Sequence, residues 1–299
     1  MMGILAVMPL RDFADPAAVS GALDAAGYVP DDGVATAAFL ALRMGRPLFV
    51  EGDPGVGKTA LAHALATICR ASLFRLQCYE GIDASQALYD WDFPRQVLHL
   101  RAAAGTADPG EIETSLYDRR FLIARPVLRA LERSPAVLLI DEIDRADDEF
   151  EAFLLEVLAE SSVTVPEIGT IRADVPPLTV ITSNRTREVH DALKRRCLYL
   201  WLDHPDFARE VEIVRRRVPG AAHQLVADVA RAAARLREAS LLKPPGIAET
   251  IDWALALHTL GRSRLDGAAA RMTLGAVLKY REDIVRVERE LDEIVGGPT

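Results

Sequence analysis

The sequence predicts an α/β fold: a five-stranded parallel sheet with helices on both faces, followed by a smaller all-helical lid domain. Three observations carry this. Between Pro47 and Pro205, short β-rich apolar runs alternate with helical stretches, the rhythm of a parallel sheet. Val137-Leu138-Leu139-Ile140 is apolar without alternation, as a strand covered on both faces requires. After His204-Pro205 the apolar residues recur at steps of three and four. The expected divisions are an N-terminal segment over 1–30, a nucleotide-binding α/β domain over 31–205 and the helical domain over 206–299.

Taken in order, the first ten residues are apolar but brief. No Lys or Arg precedes the run and no small-residue cleavage pattern follows, so it reads as a loosely packed terminal segment rather than a signal peptide. Strands are expected at 47–51, 72–78, 136–141, 178–183 and 197–202. The stretch 103–113, with Gly105, Asp108, Pro109 and Gly110, is the most loop-like internal segment. In the helical part, Leu225, Val229, Ala232 and Leu236 mark one apolar face. Leu274, Val277, Leu278, Ile284 and Leu291 mark another. Arg215-Arg216-Arg217 precedes Pro219-Gly220, so the arginines suit a helix C-terminus better than a nucleic-acid patch. Lys243-Pro244-Pro245-Gly246 ends one helix and opens the next, and the tail from Gly296 to Thr299 is expected to fray.

Composition narrows the partners. A net charge of −9 and a pI of about 5.3 argue against a general nucleic-acid binder, although a local basic groove stays open. Cys69, Cys78 and Cys197 are odd in number and far apart, which fits neither a disulfide framework nor a zinc pair and suits a reducing, cytoplasmic compartment. The histidines, among them His63, His99 and His190, have no metal-ligand spacing. No uncharged stretch approaches the ~20 residues needed to span a bilayer.

Gly52-Asp53-Pro54-Gly55-Val56-Gly57-Lys58-Thr59 completes the pattern G-x-x-x-x-G-K-[ST], between an apolar strand and a helical stretch. Glycines let the backbone curl until several N–H groups face the phosphates. The helix N-terminus adds its positive end. Lys58 is expected to reach the β- and γ-phosphates of ATP, and the Thr59 hydroxyl to ligate Mg²⁺. The plain alternative is a glycine-rich turn with an accidental lysine.

The run Val137 to Ile140 ends in Asp141-Glu142. Ligands of a parallel α/β sheet sit beyond the carboxyl ends of the strands. Asp141 is therefore expected to hold the Mg²⁺, through water, and Glu142 to polarise the attacking water. The rival reading is that both simply cap the next helix, as Asp144 and Asp147 would. Asn184, after Leu178-Thr179-Val180-Ile181-Thr182-Ser183, either holds that water or makes a turn. Arg195 and Arg196 either compensate a helix dipole or reach the nucleotide of a neighbouring subunit.

These elements in this order resemble the AAA+ ATPases, over about residues 30–290. Within them the chain resembles the MoxR group, and more narrowly the CoxD-type accessory ATPases of carbon monoxide dehydrogenase maturation. Leu76-Gln77-Cys78-Tyr79-Glu80-Gly81-Ile82-Asp83, Tyr89-Asp90-Trp91-Asp92-Phe93-Pro94-Arg95-Gln96 and Lys243-Pro244-Pro245-Gly246-Ile247-Ala248-Glu249-Thr250 carry the narrower match. The resemblance implies a homo-oligomer, usually a hexameric ring, with ATP at subunit interfaces. It implies a chaperone that matures a metalloenzyme client beside a partner carrying a von Willebrand factor A domain. Residues 89–101 would form an aromatic-rich hairpin facing the client; the alternative packs Trp91 and Phe93 in the core. One departure stands out: 246–252 lacks the arginine that many such lids carry, and Lys243 is the nearest substitute. The competing functions are a non-hydrolysing ATP-dependent switch, a DNA-directed loader and a small-molecule kinase. The −9 charge disfavours the loader.

Overall fold

The computed structural model describes residues 12–103 and 115–296. The N-terminal apolar run, the loop-like stretch after Ala103 and the last three residues lie outside them. In chain order the strands are β1 (Leu48–Glu51), β2 (Ser72–Gln77), β3 (Tyr89–Trp91), β4 (Leu122–Ala124), β5 (Ala136–Asp141), β6 (Ser162–Val165), β7 (Gly169–Arg172), β8 (Leu178–Ser183) and β9 (Leu198–Trp201). The chain divides into two compact units. One holds Pro30–Glu51, Thr59–Leu200 and the N-terminal residues up to Ala26; the other holds Gly27–Val29, Gly52–Lys58 and the chain from Trp201 onward.

The first unit is built on a five-stranded sheet of order β2-β5-β8-β1-β9. The ladders β2–β5, β5–β8 and β8–β1 are parallel. Every residue of β1, β5 and β8 is buried, so these strands carry apolar side chains on both faces. The register sets Gln77 beside Asp141 and Glu51 beside Ser183. The carboxyl ends of neighbouring strands thus form one polar rim above an apolar sheet. Phe49, Leu138, Ile140, Phe150 and Leu154 belong to the core beneath it, each contributing about 1.5–3 kcal/mol on burial. All five expected strands are present, some of them trimmed at an end.

The expected hairpin over 89–101 is not what forms. Only Tyr89–Trp91 is strand, paired antiparallel with Leu122–Ala124. A helix, Phe93–Ala103, follows at once. Asp92 explains the switch: its carboxylate accepts from the Arg95 amide at 3.1 Å, the geometry of a helix N-cap, and Pro94 suits the first turn. Trp91 packs edge-on to Tyr117 with centroids 5.4 Å apart, at the margin of the core. Phe93 is 62% exposed, so it is not a core residue. The antiparallel β6–β7 hairpin was also unforeseen, its strands being short and its Thr164 and Arg172 facing out.

The second unit is helical: Phe207–Arg217, His223–Glu238, Ile247–Thr259, Gly267–Val277 and Arg281–Gly296. Leu225, Val229, Ala232 and Leu236 are buried along one face, as their spacing predicts. The series from Leu274 to Leu291 is split between two helices, with residues 278–280 outside both. Trp253 is fully buried, and its indole N–H donates to Thr273 Oγ1 at 2.8 Å, which removes the cost of an unpaired polar group. Arg215, Arg216 and Arg217 occupy the last turn of their helix. Among the described residues no helix is long and apolar enough to cross a membrane.

Candidate functional site

The glycine-rich loop runs directly from β1 into the helix Lys58–Ile68. Gly55 and Gly57 hold φ values of +84° and +104°, where a Cβ is disfavoured. At Gly52 a Cβ would overlap the Leu202 carbonyl oxygen. Lys58 is buried, and its ammonium donates to the carbonyls of Gly52 at 2.7 Å and Asp53 at 2.8 Å. The cation therefore lies within the turn that the glycines create. His204 Nε2 lies 3.8 Å from the Asp53 carboxylate. Burial, with Arg237 nearby, holds the His204 pKa below its ordinary value.

The start of the helix Ile247–Thr259 packs on this loop. The Ile247 amide donates to the Gly55 carbonyl at 3.1 Å. A Cβ on Gly246 would meet Gly55 Cα and the Pro54 carbonyl, each at 2.9 Å. Glu249 turns back to accept from the Gly246 amide at 3.0 Å. The helix thus meets the loop through its backbone.

The rim of the sheet gathers the acidic residues. Thr59 Oγ1 lies 3.1 and 3.2 Å from the two carboxylate oxygens of Asp141. Asp141 also accepts from Thr182 Oγ1 at 2.6 Å and from Arg75, whose Nε is 2.9 Å away. Glu142 adopts a left-handed backbone with φ of +58°, uncommon for a residue with a side chain. Its amide donates to Thr182 Oγ1 at 2.9 Å. Its carboxylate accepts from Gln77 Nε2 at 3.1 Å and from Asn184 Nδ2 at 3.3 Å. Glu142 makes no side-chain helix cap; that role falls to Asp147, which accepts from the Phe150 amide at 2.9 Å. Buried Asp144 instead binds the next strand-end loop, accepting from the amides of Asn184 at 3.2 Å and Thr186 at 2.8 Å.

The rim thus brings together Thr59, Asp141, Glu142 and Asn184. Arg195 and Arg196 follow the short helix Asp191–Lys194, and no contact joins them to that cluster among the described residues. Sequence reasoning missed Arg75, Gln77 and Thr182, and it read Asp144 as a helix cap where the structure has it hold the Asn184–Thr186 loop. Gln77 and Thr182 were within reach of it, being polar residues at the ends of strands already assigned. Arg75 was not, because a mid-strand arginine looks like any exposed β residue. The hard oxygen donors of Thr59 and Asp141 suit Mg²⁺, which takes one or two carboxylates and completes its shell with waters and phosphate oxygens.

Comparison with known proteins identifies the family of residues 47–197. Residues 47–197 match the family model described as AAA domain (dynein-related subfamily). A gas vesicle ATPase, GvpN1 of Halobacterium salinarum, is 28% identical over 207 residues, covering 66% of this chain and 58% of its own. Midasin of Giardia intestinalis is 54% identical over 48 residues, 16% of this chain and 1% of that one. The chain therefore spans less than two thirds of either relative's length. Among solved structures, a mutant of Thermotoga maritima RuvB aligns over 97% of this chain and 81% of its own, at 17% identity and TM-score 0.49. The RuvB Holliday junction branch migration motor of that organism aligns over 89% and 75%, at 16% and 0.46.

Proposed function

The chain belongs to the AAA domain family, dynein-related subfamily, and from that premise we propose that it hydrolyses ATP to remodel a protein client. One observation carries the reading: Thr59 and Asp141 converge within hydrogen-bonding distance, with Glu142 held alongside between Gln77 and Asn184. A hydroxyl and a carboxylate suit a metal, and an oriented second carboxylate suits a water.

In this reading the loop amides and Lys58 hold the β- and γ-phosphates, and Thr59 and Asp141 hold Mg²⁺. When bound, the ion would neutralise charge on the phosphate oxygens. Arg75 and Thr182 fix Asp141 so that its free lone pairs stay aimed. Glu142 accepts a proton from the attacking water as the water oxygen bonds to the γ-phosphorus. The bond from that phosphorus to the bridging oxygen breaks, releasing ADP and phosphate. Asn184 orients Glu142 and the water. Arg195 or Arg196 of a neighbouring subunit supplies positive charge, which implies a homo-oligomer, taken as a hexameric ring.

The narrower assignment extends the resemblance. We place the chain with the MoxR-type chaperones, acting in the cytoplasm on a metalloenzyme client, with a von Willebrand factor A-domain protein as partner. The similarity to a gas vesicle ATPase supports the ATPase step. The negative charge weighs against a DNA-directed loader, and Glu142 weighs against a non-hydrolysing switch. The test is phosphate release with affinity capture. Lys58→Ala should lose tight nucleotide binding, and Glu142→Gln, stalled in ATP, should retain a metalloenzyme client. Wild-type turnover by the Gln variant would sink the assignment of Glu142.

A further inference from the structure

Parallel strands all start at one edge of their sheet, and here that edge is cationic. The pairings Ser72↔Ala136, Val137↔Leu178 and Leu48↔Val180 align the starts of β2, β5, β8 and β1. Arg70 lies just before β2, Arg133 just before β5 and Arg46 just before β1. Arg70 and Arg133 are exposed, and among the described residues neither has an ion-pair partner. Arg46 is half-buried. Its Nε and Nη2 donate to the carbonyls of Arg195, Arg196 and Cys197, and its Nη1 has no hydrogen bond among the described residues. Two nearby acids are already paired, Asp12 with Arg43 and Glu132 with Arg119. Exposed Asp174, shortly before β8, is outnumbered. On a chain of net charge −9, this edge runs against the average.

Arg46 also lines a cavity of about 40 Å³. Leu42, Leu138 and Val157 form its buried floor, and Gly45, Leu158 and Pro176 carry it to the surface. Apolar surface continues outside it: Met44 and Leu40, on the helix Asp32–Met44, are 52% and 39% exposed. One water needs only about 10–15 Å³, and these walls offer a water few partners. The space suits the end of a branched aliphatic side chain better than a ring. An apolar socket with a guanidinium in its wall recognises an aliphatic group beside a carboxylate. The aliphatic part gains from burial, and the carboxylate gains charge-assisted hydrogen bonds. Nucleic acid fits less well, because no aromatic ring lines the cavity on which a base could stack.

We infer that the edge where the strands start, around Arg46, Arg70 and Arg133, docks an acidic segment of a partner protein, with one leucine-like side chain seated in the cavity. Arginines around an apolar anchor give such a contact both its selectivity and its salt dependence. The surface lies at the opposite end of β5 from Asp141, so a partner held there leaves the strand-end carboxylates uncovered. The inference goes beyond the ATPase reading and does not rest on it.

The test is fluorescence anisotropy on the full chain, with a labelled synthetic peptide of glutamate-glutamate-leucine repeats. A glutamate-glutamate-serine peptide of equal length and a labelled oligothymidylate are the comparisons. The leucine peptide should bind about tenfold more tightly than the serine peptide, as burial of one aliphatic side chain allows. Added salt should weaken both. The double variant Arg70→Glu, Arg133→Glu should weaken the leucine peptide by about tenfold or more. Pro176→Glu, which sets an acid at the mouth of the cavity, should erase the preference for leucine. Phosphate release and melting temperature should stay at wild-type values in these variants, since none of the altered residues belongs to the phosphate loop or the acidic rim. A photoactivatable leucine in the peptide should crosslink within residues 40–46, 157–161 or 176–179. No binding of either peptide, equal binding of the two, or crosslinks confined to other segments overturns the docking site. Oligothymidylate that binds more tightly than the leucine peptide, and is lost in the double variant, overturns the protein partner in favour of nucleic acid. Wild-type protein that binds the leucine peptide as described but releases no phosphate overturns the ATPase reading and leaves this inference standing.

Discussion

Lys58 and Glu142 sit in regions organised by different chemistry. Lys58 gives hydrogen bonds to two main-chain carbonyls, inside a turn whose shape depends on glycines that tolerate no side chain. Glu142 and Asp141 are held by side chains from other strands: Gln77, Arg75, Thr182 and Asn184. In the loop, shape is a property of the backbone and fails sterically. At the strand ends, shape is a property of charge and hydrogen bonding and fails by mispairing. The two regions should therefore respond to different kinds of substitution.

The largest effect is expected at Glu142, where substitution by Gln should reduce kcat about 10³-fold while the nucleotide Kd changes little. A parallel loss of affinity would blur the distinction between the regions. Next comes Gly52→Ala, whose added Cβ would overlap the Leu202 carbonyl. It should weaken nucleotide binding about 100-fold, or about 2.7 kcal/mol, by calorimetry. Wild-type affinity in that variant would show that the loop is more pliant than its packing implies. Arg75→Met, which removes a charged donor from buried Asp141, should lower turnover about tenfold without abolishing binding.

The smallest effect concerns the buried thiols. Burial, with Asp141 and Asp144 nearby, pushes Cys78 up to about 12, and burial does the same to Cys197. Since these folded values are raised above the ordinary thiol value of 9.0, the stability they contribute is complete below that pH and is lost as pH rises toward 12. The urea midpoint should therefore begin to fall above pH 9 and fall less in Cys78→Ala. Both thiols should resist iodoacetamide at about pH 8 until the protein unfolds. Rapid labelling of the folded protein would contradict their burial.

How much was legible in advance follows the same division. The phosphate loop, the five strands and the face from Leu225 to Leu236 are local patterns, and each was readable from spacing alone. The acidic pair at Asp141-Glu142 was readable because it ends an apolar run. Among its partners Arg75 was not, since it reaches the pair from a neighbouring strand whose register no local pattern reveals. The hairpin expected over 89–101 failed for a related reason. The aromatic residues suggest strand, but the Asp92 cap and Pro94 decide for helix. Arg195 and Arg196 are indistinguishable as letters; the contact of Arg196 with the Leu155 carbonyl and the exposed pairing of Arg195 with Asp191 separate them.

The hydrogen bond from the Ile247 amide to the Gly55 carbonyl has a bearing on heat sensitivity. Helix ends fray before helix centres, and the first turn of Ile247–Thr259 is one of the supports of the phosphate loop. Warming should therefore erode ATP retention several degrees before the indole of Trp253 loses its buried environment. Inactivation would then begin as a softening of the loop, well ahead of global melting, and adding nucleotide would postpone it.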